Sequence, residues 1–571
     1  MSPTTPLFPV LILLLGAILL PLMKRIARAQ ISDGPSTKLR TGLALLLAGS
    51  FFLLSLFLYR DQPTAVTISV WRPAPHFGVE LGYYVDSVSL LFASLIGFIM
   101  LVAIVCQSAF LTGDEESTHS YSGIFLVAAA GISLIFAADV VTLYISWGFL
   151  DLALLFLTGL LHRGKAASRT GLRILVINYL AGIALLLSLL LLERQGASFS
   201  LQVTLLPSKV ISLILLAALV RLGLYPTLVA LPADVEMDLP SVIAWYVIPL
   251  SAGGYLLARV LGLVSVTSLP GKEVALFLGS LALILSPFPL WFETSLRRIA
   301  SYVVLNQVGY LALGSAIAAP YSMVIVSSQV ISLTLALSLL FLSQVTSRDS
   351  MPNLYRLWTR SCTFVAVAAL VGTPLTIGFV SRWLLYQSLW ETGLGLLILV
   401  SLLANSFFLA PLLKVFLEDS PPPSGQGRVS PLLLAGMSAL AVPLVILGLH
   451  PPLTGRLVRL QSTRPSLPAL PDLIYSGAPS LSLVTIAGIL LSLFLGYLLY
   501  RSGKTIVARA GISLQTLQSI AETDWLYRAL GWTVQRVALT LEQLGGFFEE
   551  RRSPGWILLF ALLVALLLLS S

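Results

Sequence analysis

Residues 219–241 read LVRLGLYPTLVALPADVEMDLPS. An apolar run that carries Arg221, three prolines and three acids is not a plain membrane helix. Proline removes a backbone donor and ends a helix, and freed carbonyls are tolerated at membrane depth only where protein or water lines the gap. The stretch therefore predicts a span that breaks at Tyr225-Pro226 and is resumed by another, with Arg221 held at the break. An ionisable group at that depth costs about 2.5–3.5 kcal/mol even on the lenient insertion scale, so it calls for a partner or a task.

Outward from this stretch the chain stays apolar. Its 571 residues are 57% hydrophobic and 10% charged, with a mean hydropathy of +0.95, far from the composition of soluble domains. Windows of roughly 17–25 apolar residues recur throughout, giving about sixteen spans. Lys24, Arg25, Arg28, Lys38 and Arg40 follow the first span; Arg163, Lys165, Arg169 and Arg173 follow the fifth. Arg297 and Arg298 follow the ninth, and Arg348, Arg356 and Arg360 the eleventh. The positive-inside bias puts these odd-numbered loops in the cytoplasm and the N terminus outside. The net charge of +9 is thus a topology signal, and no basic helix with interleaved aromatics points to nucleic acid. The chain opens MSPTTPLFPV without a basic n-region, so the first span is expected to be retained.

Soluble catalytic machinery is not expected. The sequence has no glycine-rich phosphate loop and no paired-cysteine cluster, Cys106 and Cys362 lie in or beside apolar segments, and four histidines fall in loops. No cofactor or metal is expected in this chain. The segment SLQTLQSIAETDWLYRALGWTVQRVALTLEQLGGFF, within 513–550, repeats apolar residues at helical spacing. It predicts an amphipathic helix about 55 Å long, lying along the membrane or a partner and joining spans fifteen and sixteen.

Few polar groups remain inside the spans. Asp139 and Asp151 flank the start and middle of span five, Arg382 follows TPLTIGFVS in span twelve, Asn306 and Gln307 lie in span ten, and Arg259 closes span eight. Arg259 is expected to snorkel to the headgroups. Span twelve also breaks, around Gly372-Thr373-Pro374 and Gly378, five spans after the first break. Broken helices in corresponding places predict two inverted five-helix repeats, spans four to eight and nine to thirteen. The expected divisions are helices one to three in 1–120, the repeats in 121–262 and 274–416, peripheral helices in 417–500, and the lateral helix with a final anchor in 501–571.

The residues YYVDSVSLLFASLIG, DVVTLYISWGFLDL, RLGLYPTLVALPADVEMDLPSVIAWYVIPLSAGGYLLAR, SLRRIASYVVLNQVGYLALG and LVGTPLTIGFVSRW resemble the antiporter-like subunits of respiratory complex I, the proton-translocating NADH:quinone oxidoreductase, and of multi-subunit sodium/proton antiporters. Membrane-bound hydrogenases and inorganic-carbon uptake complexes hold relatives of the same family. The resemblance covers roughly residues 80–415. It implies an all-α membrane subunit in a bacterial inner or thylakoid membrane, translocating protons or sodium with other membrane subunits of a larger, quinone-linked or antiporter-like complex. It also implies a relay: a glutamate after the span-five tryptophan, a span-seven lysine four residues before the Phe-Pro break, a span-eight lysine or histidine, and a span-twelve lysine or glutamate. Here Trp147 is followed by Gly148, the span-seven position is Arg221, the span-eight position falls at Trp245 or Tyr246, and the span-twelve position is Arg382. Arginine stays protonated in proteins and is a poor proton carrier.

Asp151, three residues on from Gly148, is the expected replacement for the glutamate on much the same helix face, either titrating or locked as a counter-ion to Arg221. The ion-path candidates are Asp139, Asp151, Arg221, Trp245, Tyr246, Arg298, Gln307 and Arg382. A repurposed or silenced membrane partner of a carbon-uptake or oxidoreductase module is the alternative reading.

Overall fold

The computed structural model describes residues 5–30, 33–58, 63–74, 77–108, 117–160, 165–196, 199–201, 206–231, 235, 237–263, 269–317, 321–344, 353–417, 431–457, 479–522 and 524–549. They form a bundle of helices with one antiparallel hairpin. In chain order these are α1 (Phe8–Gln30), α2 (Asp33–Leu58), β1 (Thr64–Ala74), β2 (Phe77–Val85), α3 (Ser87–Ser108), α4 (Ser117–Ile135), α5 (Val140–Leu155), α6 (Lys165–Arg194), α7 (Ser208–Arg221) and α8 (Leu239–Leu263). There follow α9 (Lys272–Leu285), α10 (Pro287–Leu290), α11 (Leu296–Ile317), α12 (Ser322–Gln344), α13 (Asn353–Val371), α14 (Ile377–Glu391), α15 (Gly395–Leu417), α16 (Pro431–Leu449), α17 (Pro451–Leu457), α18 (Pro479–Ala521) and α19 (Asp524–Glu549).

Among the described residues, eleven helices are long and apolar enough to cross a membrane, and Phe8–Met23 and Tyr121–Ile135 are shorter apolar helices. The best-buried spans are central: the apolar windows of α11 and α12 are wholly buried, and that of α8 nearly so. By contrast α6 exposes Leu172, Val176, Tyr179 and Ile183 on one side, as a helix facing lipid should. The expected sixteenth span, 555–570, lies outside the described residues.

Both expected breaks are present. α7 ends at Arg221, Gly223 takes a positive φ of 83° and Tyr225-Pro226 is cis. The described residues between 222 and 238 are turns and extended chain, and helix resumes, as expected, with α8 at Leu239. In the other half α13 ends at Val371 and α14 begins at Ile377, with positive φ at Gly372 (76°) and Leu375 (73°) between them. Here the boundaries differ from expectation. Span twelve, expected over about 362–380, is the pair α13 and α14, starting at Asn353, and a second interruption before Gly395 separates it from α15.

Loops sort by parity. After even-numbered spans, β2, the α4–α5 turn and the α6–α7 connection meet, with Tyr84 N–H donating to Phe136 O (2.7 Å), Ala138 N–H to Gly82 O (3.0 Å) and Val140 N–H to Phe199 O (3.0 Å). The hairpin was not foreseen in the segment 60–85. It qualifies the all-α expectation only outside the spans. On the opposite face, after odd-numbered spans, Arg297 donates to Met237 O (3.0 Å) and Tyr225 Oη donates to Ile520 O (3.1 Å). Glu293 and Arg298 pair there at 2.8 Å. Partial burial lifts the Glu293 carboxyl above its ordinary range, against the pull of Arg298.

The tail differs from expectation too. α18 runs 43 residues from the fifteenth span to Ala521, so the segment 513–550 is not one lateral helix. α19 alone continues for 26 residues, about 39 Å.

Candidate ion-translocation site

α5 starts where the Asp139 carboxylate caps it, accepting from Thr142 N–H at 2.8 Å and from Thr142 Oγ1 at 2.5 Å. An N-cap of this kind satisfies helix-end donors, and it gives Asp139 a structural post at the even-loop face. Twelve residues later, Asp151 is about 18 Å along the helix, a depth that corresponds to the inner part of a roughly 30 Å hydrocarbon core. α7, packed on α6, brings Arg221 to Asp151 with its last residue.

There the two meet. Arg221 Nη2 donates to Asp151 Oδ1 at 2.7 Å and to Trp147 O at 3.4 Å, and both residues are buried. The guanidinium lies 3.7 Å above the Trp147 ring, a desolvated cation–π contact. Trp147 Nε1 is fixed by Asn178 O (3.1 Å), and the Asn178 side chain also reaches the Asp151 carboxylate. One expectation is corrected: Gly148 is exposed with open space beyond it, while Asp151 is buried. Three residues apart, they lie about 60° apart around α5, with Asp151 turned to Arg221 and position 148 on the open side.

Beside the pair lies a cavity of about 80 Å³, lined by Asn178, Arg221, Thr227, Trp245, Tyr246 and Pro249 among others. Pro249, inside α8, has no N–H to give the Trp245 carbonyl, so backbone polarity is released next to the cavity. Trp245 and Tyr246 both line it, so the one-residue ambiguity in span eight does not matter to the site. Tyr246 Oη donates to Arg297 O (2.6 Å) and pairs with Ser301 Oγ (2.8 Å), tying the cavity to α11. Arg298 stands apart, half exposed and paired with Glu293.

Gln307 and Arg382 form a second centre. Pro374 has no N–H for the carbonyl four residues back, and Leu370 O instead accepts from Gln307 Nε2 (3.0 Å) and Arg382 Nη2 (2.5 Å). Arg382 also donates to Asn405 Oδ1 and lies 4.1 Å above the Tyr310 ring. Gln329, Asn405 and Asn178 were missed in the sequence; each is an amide in the apolar interior of a helix, which is the signal that finds them. Arg259, expected at the headgroups, is 9% exposed and finds a partner within the protein, ion-paired to Asp86.

A helical bundle with two broken spans, each with a buried arginine beside its break, defines a polytopic membrane protein built around buried charges. Residues 137–408 match the family described as NADH:quinone oxidoreductase/Mrp antiporter, transmembrane, and this chain is similar to the antiporter-like membrane subunits. It is 25% identical to NADH-quinone oxidoreductase subunit N of Desulforudis audaxviator, over 77% of this chain and 94% of the relative. It is 23% identical to NAD(P)H-quinone oxidoreductase subunit 5, chloroplastic, of Adiantum capillus-veneris, over 48% of this chain but only 40% of that protein. A chain of the Mrp complex from Dietzia sp. DQ12-45-1b superposes with a TM-score of 0.77 at 20% identity, covering 99% of this chain and 63% of that one. A chain of the membrane-bound sulfane sulfur reductase, an archaeal respiratory membrane complex, gives 0.72 at 17% identity, covering 98% and 99%.

Proposed function

We propose that this chain is a membrane subunit of a complex I-like or antiporter-like assembly and moves protons or sodium ions across a bacterial inner or thylakoid membrane. Other membrane subunits of that assembly are its partners. The observation that carries the reading is the buried Asp151–Arg221 pair, set at the broken end of α7 beside the cavity. A carboxylate can take up and release a cation at this depth, whereas the guanidinium holds its charge and sets how tightly the carboxylate binds. A cavity of about 80 Å³ has room for several waters to reach the pair.

The finer architecture belongs to the same reading: sixteen spans with the N terminus outside, and inverted repeats over 121–262 and 274–416. Its support is the pairing of arginine with ring in each half, Arg221 with Trp147 and Arg382 with Tyr310, from spans seven and five and from spans twelve and ten. Relatives in both quinone oxidoreductases and sodium/proton antiporters agree with either ion.

The test is Asp151→Asn in the purified assembly reconstituted into vesicles. Coupled acidification, or uptake of labelled sodium, is expected to drop at least tenfold while subunit composition stays the same. Unchanged transport by an intact assembly would make the pair structural and the subunit a silent partner.

A further inference from the structure

The two arginine centres are built alike only to a point. Four residues after Trp147 comes Asp151; four residues after Tyr310 comes Gly314, where an added Cβ would sit 2.8 Å from Ile325 Cγ2. The second repeat therefore has neither a carboxylate nor space for one at the place where the first repeat keeps its own. Arg382 is 1% exposed, and among the described residues its hydrogen-bond acceptors are neutral: Asn405 Oδ1 and Leu370 O. None of the ion pairs among those residues includes it. A buried cation with only neutral partners is costly to keep, and arginine cannot relieve the cost by losing its proton.

The polar groups around it do not offer a cation a way through. Ser381 Oγ donates to Gln329 Oε1 (2.6 Å), Gln329 to Gln307 Oε1, Gln307 Nε2 to Asn306 Oδ1 (3.2 Å), and Asn306 Nδ2 to Ser286 Oγ (3.0 Å). Every link points the same way, and side-chain amides neither gain nor lose protons in the physiological range. Such a thread orients dipoles without relaying charge.

We infer that Arg382 is a fixed-charge barrier that closes the second repeat to cations, confining translocation to the first. The inference rests on the reading of Asp151 as the transporting group. At an effective dielectric of about 20, a unit charge disfavours a cation passing within about 6 Å by about a hundredfold. Lysine at this place would open and close the barrier with its own protonation; arginine keeps it shut.

Asn405→Asp tests this without removing the arginine, because it sets a carboxylate of the same shape against Nη1 and cancels the charge. Full-length chain is reconstituted into vesicles holding a pH-sensitive dye, a potassium diffusion potential is imposed, and proton flux is followed with and without sodium. Asn405→Asp and Arg382→Gln are each expected to raise cation flux at least tenfold, and the rise should persist when Asp151→Asn is added. Folded Asn405→Asp protein whose flux stays within twofold of wild type overturns the barrier, whether or not Arg382→Gln can be purified. The first-repeat reading is judged separately, by Asp151→Asn with Asn405 intact, so either idea can fail while the other stands.

Discussion

Arg221 and Asp151 each make the other's burial tolerable, and removing either leaves a lone charge in a low-dielectric site. Losing one member of a buried pair commonly costs about 3–5 kcal/mol. Arg221→Ala should therefore lower the unfolding temperature in detergent markedly and leave Asp151 favouring its neutral, protonated form. Arg221→Lys should fold, lose the flat contact on Trp147, and retain or raise transport, because lysine can titrate where arginine cannot. A melting curve beside a vesicle flux assay separates the two outcomes. The same logic applies to Arg259 and Asp86 at the even-loop face, where Arg259→Ala should destabilise without touching the ion path.

At the level of elements, the breaks are set by backbone chemistry as much as by side chains. Gly372 holds a positive φ of 76°, and a Cβ there would lie 2.4 Å from Arg382 Cδ. Gly378 is more constrained: its Cβ would sit 1.9 Å from Ala369 O, so α14 closes back on the end of α13 at a distance only glycine permits. Gly378→Ala is expected to force the break open and cost more than about 3 kcal/mol, the range of severe packing defects. Gly148→Ala is the matched control. It faces open space on an exposed side of α5, and alanine's higher helix propensity should leave stability unchanged or raise it by up to about 1 kcal/mol. Thermal unfolding of both variants in one detergent checks the contrast.

For the molecule as a whole, the tail is the part that reaches outward. α18 packs along α15 and over Trp291, where Gly503 leaves 2.9 Å between a would-be Cβ and the ring. Its end meets the span-seven break through Tyr225 and Ile520. Beyond that point α19 exposes Trp525, Trp532, Val537 and Leu539, apolar area that suits a membrane surface or a neighbouring subunit. Deleting 524–571 removes that surface while keeping the Tyr225 contact. The shortened chain is expected to fold with a near-normal melting temperature but to lose partner subunits on affinity purification. Full recovery of the assembly would end the tail's role as a strut.

Apolar window length, the alternation of basic loops, and prolines beside arginines are local quantities, and they suffice for a many-span membrane protein with breaks after Arg221 and before Arg382. They also narrowed the titrating candidates to Asp151, because so few ionisable residues lie in the spans. The partnerships come from helix packing. Whether Asp151 is paired, whether Arg259 snorkels or finds Asp86, and whether Arg382 has any carboxylate depend on which helix faces lie together, and helix periodicity in an apolar span does not say which face is inside. Lipid and protein interior are equally apolar, so hydropathy marks the spans but leaves their rotation open. Amides within apolar helices such as Asn178, Gln329 and Asn405 are visible as letters, but their partners come from helices far away in the chain, and only packing brings those together.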